Sequence, residues 1–218
     1  MLSNQTLKSG KQYTAIPGHP GREALFYRIM QEIRTFSAPS EDALWQQVAT
    51  DMSSQPDLLE YRARLVLPDF EAVLYLDIDL GGGFEGGFAT TSFSALMPPA
   101  TSLRFALHEQ DWVHEIGKLF GMEDAQLGYP EIDDAFIVKT NDAPQLTQLL
   151  AAPETRITLV RHPTARITLA PADEDEPPYP GALVLRFEQD EAITDPVTLR
   201  DIHWLLHTLA QPAGPVTF

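Results

Sequence analysis

The 218-residue chain contains no cysteine. That absence excludes disulfides, thiol nucleophiles, thiolate-bound metals and iron–sulfur clusters together. Positive charge is scarce as well: 15 Lys and Arg stand against 31 Asp and Glu, for a formal net charge of −16. A nucleic-acid backbone would be repelled unless the basic residues were gathered into a patch. The densest groups, Arg62/Arg64 and Arg156/Arg161/Arg166, are read as solvated strand faces. No apolar run reaches membrane-span length, and the opening MLSNQTLKSGKQYTAIPG lacks the apolar core of a secretory signal. The expectation is a cytoplasmic protein that meets neither nucleic acid nor membrane.

What remains is ordinary globular material, 44% hydrophobic and 21% charged, long enough for a substantial core. Residues 1–21 read as an irregular N-terminal arm, 22–210 as a single α+β domain, and 211–218 as a C-terminal tail. Leu25, Phe26, Ile29, Met30, Ile33 and Phe36 recur at helical spacing, which predicts a first helix over Glu23–Phe36. Ser40 then predicts the N-cap of a second, with Leu44, Trp45, Val48, Ala49 and Met52 on one face.

Beyond them the period changes. Tyr61, Ala63, Leu65 and Leu67 alternate with more polar neighbours, as do Leu74, Leu76, Ile78 and Leu80, which predicts half-buried antiparallel strands. Further strands are predicted at Phe88–Met97, Leu103–Leu107, Phe136–Lys139 and Leu183–Phe187. Short helices follow Asp111 and Asp142, and a final helix follows Asp195-Pro196 with Leu199, Ile202, Leu206 and Leu209 on one side. The tetrapeptide RITL occurs at 156–159 and again at 166–169, and the pair reads as a hairpin around RHPTA. The sum is an α+β fold: a mostly antiparallel sheet with amphipathic helices at the N-terminus, the middle and the C-terminus.

One stretch looks like a chemical signature. In DLGGGFEGGF, Gly81, Gly83 and Gly86 spell G-x-G-x-x-G directly after a strand. A dinucleotide loop must open a helix whose N–H groups hold the pyrophosphate. Here Phe88-Ala89-Thr90-Thr91-Ser92-Phe93-Ser94 favours a strand, and two prolines close it off. A kinase-type glycine hairpin would need V-A-I-K, H-R-D and D-F-G, and none is present. The stretch therefore reads as a Gly81–Gly87 hairpin, with Phe84 and Glu85 at its tip as candidate interaction residues.

Other candidates are sparser. Asp77 and Asp79 share one face of their strand, so the pair is a candidate Mg²⁺ or Mn²⁺ site, set against a plain solvated face. His203 and His207 lie one helical turn apart as zinc ligands do, but lack the H-E-x-x-H glutamate and read as histidines flanking the apolar stripe. His108 and His114 straddle a predicted strand-to-helix turn with no nucleophile motif beside them. The acidic DEDE at 173–176 reads as a solvated loop. No cofactor is expected.

The most distinctive segment runs from Leu103 to Leu150. Within it Ile116-Gly117-Lys118-Leu119-Phe120-Gly121-Met122-Glu123-Asp124, Gly128-Tyr129-Pro130-Glu131-Ile132-Asp133 and Phe136-Ile137-Val138-Lys139-Thr140-Asn141-Asp142 stand in order. The arrangement resembles an uncharacterised bacterial family, a domain of unknown function with IGKLxGMxD and GDPEFDxxFxVKxND motifs. It departs at Tyr129, where the family tends to have Asp, and at Ile132, where Phe is usual. The resemblance implies no reaction, cofactor or catalytic residue. The same residues also have a local reading: Pro130 sets a bend into a strand, Asp133 holds neighbouring backbone N–H groups, and Asp142 caps a helix.

The leading functional expectation is a non-catalytic module that works through a protein partner. Two alternatives stand beside it: a metal-assisted enzyme or small-ligand protein using the Asp77/Asp79 face, and an acidic immunity or chaperone-like protein that binds a basic partner. The sequence does not specify an oligomeric state.

Overall fold

The alternation between Glu60 and Asp79 is what a sheet with one buried face requires, and it builds the centre of the molecule. A computed structural model of the chain describes residues 33–55, 58–81, 87–109, 122–172 and 181–211. These fall within one compact unit that begins at Ile33. Nine strands are described: β1 (Arg34–Ser37), β2 (Glu60–Val66), β3 (Glu71–Asp79), β4 (Phe88–Leu96), β5 (Phe105–His108), β6 (Glu123–Ala125), β7 (Ile137–Thr140), β8 (Arg166–Pro171) and β9 (Leu183–Gln189). They form one sheet in the order β1-β2-β3-β4-β9-β8-β5-β7-β6. Every neighbouring pair is antiparallel except β1 with β2.

The described helices are α1 (Glu41–Ser53), α2 (Pro130–Asp133), α3 (Ala143–Leu149), α4 (Pro153–Val160) and α5 (Pro196–Ala210). Three of them start as the sequence predicts. The Ser40 hydroxyl accepts from the Ala43 N–H at 3.4 Å, the Asp142 carboxylate from the Gln145 N–H at 3.0 Å, and the Asp195 carboxylate from the Thr198 N–H at 2.9 Å. Each bond satisfies one of the N–H groups that a helix start leaves without an internal partner.

The core lies on one face of the sheet. Tyr61, Leu65, Leu74, Leu76, Phe93, Phe105, Leu107, Ile167 and Phe187 are buried there, with Leu44, Val48, Leu199, Ile202 and Leu206 from the helices in the same apolar cluster. The opposite face carries Arg62, Tyr75 and Ser92 in one cross-strand row and Arg64, Val73, Ser94 and Arg186 in the next.

Three expectations are corrected. The predicted helix over Glu23–Phe36 does not reach Phe36: Arg34–Ser37 is β1, aligned parallel with Ala63–Val66, and residues 23–32 lie outside the described residues. The backbone edge offered by β2 outweighs the weak helical periodicity of Ile33 and Phe36. The two RITL copies do not form a hairpin. Arg156–Leu159 lies in α4, which begins at Pro153, while Arg166–Leu169 lies in β8 between β9 and β5. Proline in the first turn pre-sets the helical φ for the first copy, and strand neighbours on both sides claim the second. Arg156 is therefore not on a solvated strand face; its side chain is 13% exposed and fully engaged, as described below. The predicted helix after Asp111 lies outside the described residues.

Candidate functional site

The glycine stretch is a hairpin between β3 and β4, with Asp79 paired to Phe88 at its neck. Gly81 has φ +71°, and its N–H donates to Asp79 Oδ1 at 2.8 Å, so the chain turns in the left-handed region that glycine enters without strain. Gly87 is required for a different reason. A Cβ placed there would sit 2.4 Å from the Asp79 carbonyl oxygen and 3.0 Å from the Leu80 carbonyl carbon. Two glycines of the stretch are thus explained by the neck itself. Phe84 and Glu85, the candidate tip residues, lie outside the described residues together with Gly82, Gly83 and Gly86.

Large apolar side chains flank this neck on both faces of the sheet: Phe88 stands opposite Asp79, while Leu59 stands opposite Ile78 on the other face. Among the described residues six large hydrophobic side chains are exposed, and Leu59, Leu80 and Phe88 are three of them, at 46%, 76% and 55%. Leu59 stands alongside β3, where its carbonyl accepts from the Ile78 N–H at 2.7 Å. The other three, Leu96, Ile157 and Val197, are dispersed over β4, α4 and α5.

Asp77 and Asp79 do share a strand face, and each is engaged locally. Asp77 Oδ2 accepts from the Tyr75 hydroxyl at 2.8 Å, and the Arg62 guanidinium stacks over the Tyr75 ring at 4.6 Å while bonding Glu60 at 2.6 Å. Burial, then the Asp77 bond, pushes the Tyr75 hydroxyl pKa above its ordinary value. Asp79 closes the Gly81 turn. Among the described residues no group of three His, Asp or Glu converges as a metal site would require.

The paired histidines of α5 differ from the expectation. His207 is part-exposed, stacked on Phe70 at 4.8 Å and 3.3 Å from Asp69 Oδ2. His203 does not flank the stripe; it is fully buried, its Nδ1 3.0 Å from Glu41 Oε1, among the rings of Trp45, Phe70 and Phe93. The reason is the width of the buried stripe on α5, which takes in Leu199, Ile202, His203, Leu205, Leu206 and Leu209. Arg200 and Asp42 form an ion pair between the same two helices. His108 is buried on β5 with Nδ1 2.8 Å from the Glu109 carbonyl oxygen; His114 and the 173–176 acidic run lie outside the described residues.

One polar chain escaped the sequence reading because its members are far apart along the chain. His162 Nδ1 donates to Gln189 Oε1 at 3.1 Å, and Gln189 Nε2 donates to Glu191 Oε2 at 2.8 Å. Thr91 donates to the Glu191 carbonyl at 2.6 Å and accepts from the Ile193 N–H at 2.8 Å. Burial holds the His162 pKa below its ordinary value. The Thr91 hydroxyl is committed in both its roles, so it ties β4 to the β9–α5 connection.

The described part of the distinctive Leu103–Leu150 block, residues 103–109 and 122–150, forms a clasp. Asp133 accepts from the Leu127 and Gly128 N–H groups, each at 2.9 Å. Arg156 donates to Glu131 at 2.6 Å and to the Leu150 and Ala151 carbonyls at 2.7 Å each, with its guanidinium 4.0 Å over the Tyr129 ring. Lys139 pairs with Asp124 at 2.6 Å, and Asn141 bridges the Arg104 N–H and the Ser102 carbonyl. A shallow depression of about 240 Å³ opens beside this block, lined by Asp124, Gln126, Asp133, Phe136 and Val138. Both of its carboxylates are already bonded, so it lacks the free convergent polar groups of a small-molecule site. Among the described residues no helix is long and apolar enough to cross a membrane.

Compared with known proteins, the chain matches no family model, no curated protein and no solved structure.

Proposed function

We propose that this protein is a non-catalytic interaction module whose contact surface is the β3–β4 hairpin end. One observation carries the reading: half of the exposed large apolar side chains of the described residues, Leu59, Leu80 and Phe88, collect at this one end of the sheet. Scattered surface leucines are ordinary, whereas a local gathering of them marks a contact. The surrounding chemistry supports a binding role. Among the described residues Asp77, Glu131, Asp133, His162 and His203 each hold a partner within the chain, which places their chemistry in holding the fold.

The test places a photo-crosslinking amino acid at position 80, with a second protein carrying it at Val197, also well exposed, as the reference. Irradiation in a native lysate is expected to give a discrete adduct from position 80 and none from position 197. The same adduct pattern from both positions overturns the reading.

A further inference from the structure

We infer that the partner seated on the hairpin end is a basic protein surface, an apolar recess rimmed by lysine or arginine, and not a second copy of this chain. This rests on the reading of the hairpin end as the contact.

The chain around the contact carries charge of one sign. Among the described residues from Leu65 to Leu103 it holds four acids, Asp69, Glu71, Asp77 and Asp79, and no Lys, Arg or His. The nearest cation in the cross-strand rows is Arg62, which is held by Glu60 and Tyr75.

The register then ties apolar contact to charge. Phe88 pairs directly with Asp79, so the two side chains stand side by side on one face of the sheet. Any partner that covers the Phe88 ring also strips water from the Asp79 carboxylate. One oxygen of that carboxylate keeps the Gly81 N–H; the other needs a new donor, or the burial is unfavourable. A lysine or arginine at the rim of the recess supplies it, and Asp77 two residues away on the same face accepts a second. A second copy brings the opposite: two chains of −16 each, meeting carboxylate against carboxylate. An anionic membrane is disfavoured on the same ground.

The experiment titrates the full chain into a fluorescently labelled amphipathic peptide of leucine and lysine. Two reference peptides accompany it, one with every Lys changed to Glu and one with every Leu changed to Gln. The expected result is binding of the Leu/Lys peptide alone, weakened about tenfold or more in Leu80→Ser/Phe88→Ser. In Asp77→Asn/Asp79→Asn the affinity should fall and its dependence on salt should flatten, because two screened attractions are gone. Val197→Ser should bind as the unaltered chain does. Binding of the Leu/Glu peptide with equal affinity overturns the basic partner while leaving the contact reading intact. So does a dimer in sedimentation that Leu80→Ser/Phe88→Ser abolishes, or attachment to vesicles of anionic lipid that the same variant abolishes. Unchanged peptide binding by Leu80→Ser/Phe88→Ser overturns the contact reading itself, and absence of binding by the Leu/Lys peptide overturns the inference.

Discussion

Between Leu127 and Asp142 the side chains of Glu131, Asp133, Lys139, Asn141 and Asp142 close on partners within the chain, whereas at the β3–β4 hairpin end apolar side chains stand in solvent. The first region has the look of a signature: Asp, Asn, Lys and Pro packed into a short run. Yet Asp133 holds two amides, Glu131 holds Arg156, Asn141 ties β7 to the Ser102–Arg104 segment, and Asp142 caps α3. The second region looks like filler, a run of glycines. It leaves Leu80 and Phe88 outside and uses Gly81 and Gly87 to hold the neck shut. A residue that satisfies a buried donor contributes to stability; one that stays exposed against the hydrophobic effect is available to a partner. Perturbing the two regions should therefore move different observables.

The largest effect is expected from Arg156→Ala. It removes the donor from the Leu150 and Ala151 carbonyls and leaves Glu131 unpaired, at a cost of about 2–4 kcal/mol in denaturant unfolding. Arg156→Lys should recover only part, since an ammonium cannot reproduce the fork that spans three acceptors while stacking on Tyr129. Gly87→Ala follows at about 1–3 kcal/mol, because its Cβ meets backbone that has little freedom to yield. A full cost near zero there would mean that the neck is looser than its register implies. Asp133→Ala should cost about 1–2 kcal/mol by freeing two amide donors, read from the same unfolding curves.

A smaller effect is set by pH. His162 has its pKa lowered by burial, so the unfolded chain takes up a proton before the folded one does. Stability is then complete above the ordinary histidine pKa and declines as pH falls from there through the lowered folded value. His162→Gln should flatten that part of the pH–stability profile, and a decline that persists unchanged assigns it to other groups. The smallest stability effect, within about 0.5 kcal/mol, is expected for Leu80→Ser/Phe88→Ser, which alters only exposed surface.

Much of the architecture was legible from local pattern. Alternation located β2 and β3, strand-like runs located β4 and β9, and the caps Ser40, Asp142 and Asp195 marked three helix starts to the residue. Asp133 was readable too, because a carboxylate beside a Gly-x-Pro bend has few other uses. The failures share one cause: the deciding partner lies far off in sequence. RITL is helix at 156–159 and strand at 166–169, so the tetrapeptide itself decides nothing. In the helix Thr158 and Leu159 turn inward and Ile157 stands 51% exposed; in the strand Ile167 and Leu169 are buried by alternation. Arg34–Ser37 needs β2 to become a strand, and His203 needs Glu41 of α1 as the partner of its buried Nδ1. The candidate contact was half legible. The glycines drew attention to the hairpin, but exposure of Leu59 and Phe88 follows only from where β2 and β4 end beside the neck.

If the hairpin end serves binding and contributes little to holding the fold together, stability and affinity should separate there. That separation is tested most directly by measuring the melting temperature and the Leu/Lys-peptide affinity of Leu80→Ser/Phe88→Ser on one sample. The predicted result is a melting temperature within about 3 °C of the unaltered chain, together with an affinity at least about tenfold weaker. An unchanged affinity, or a fall in melting temperature as large as that of Arg156→Ala, would contradict it.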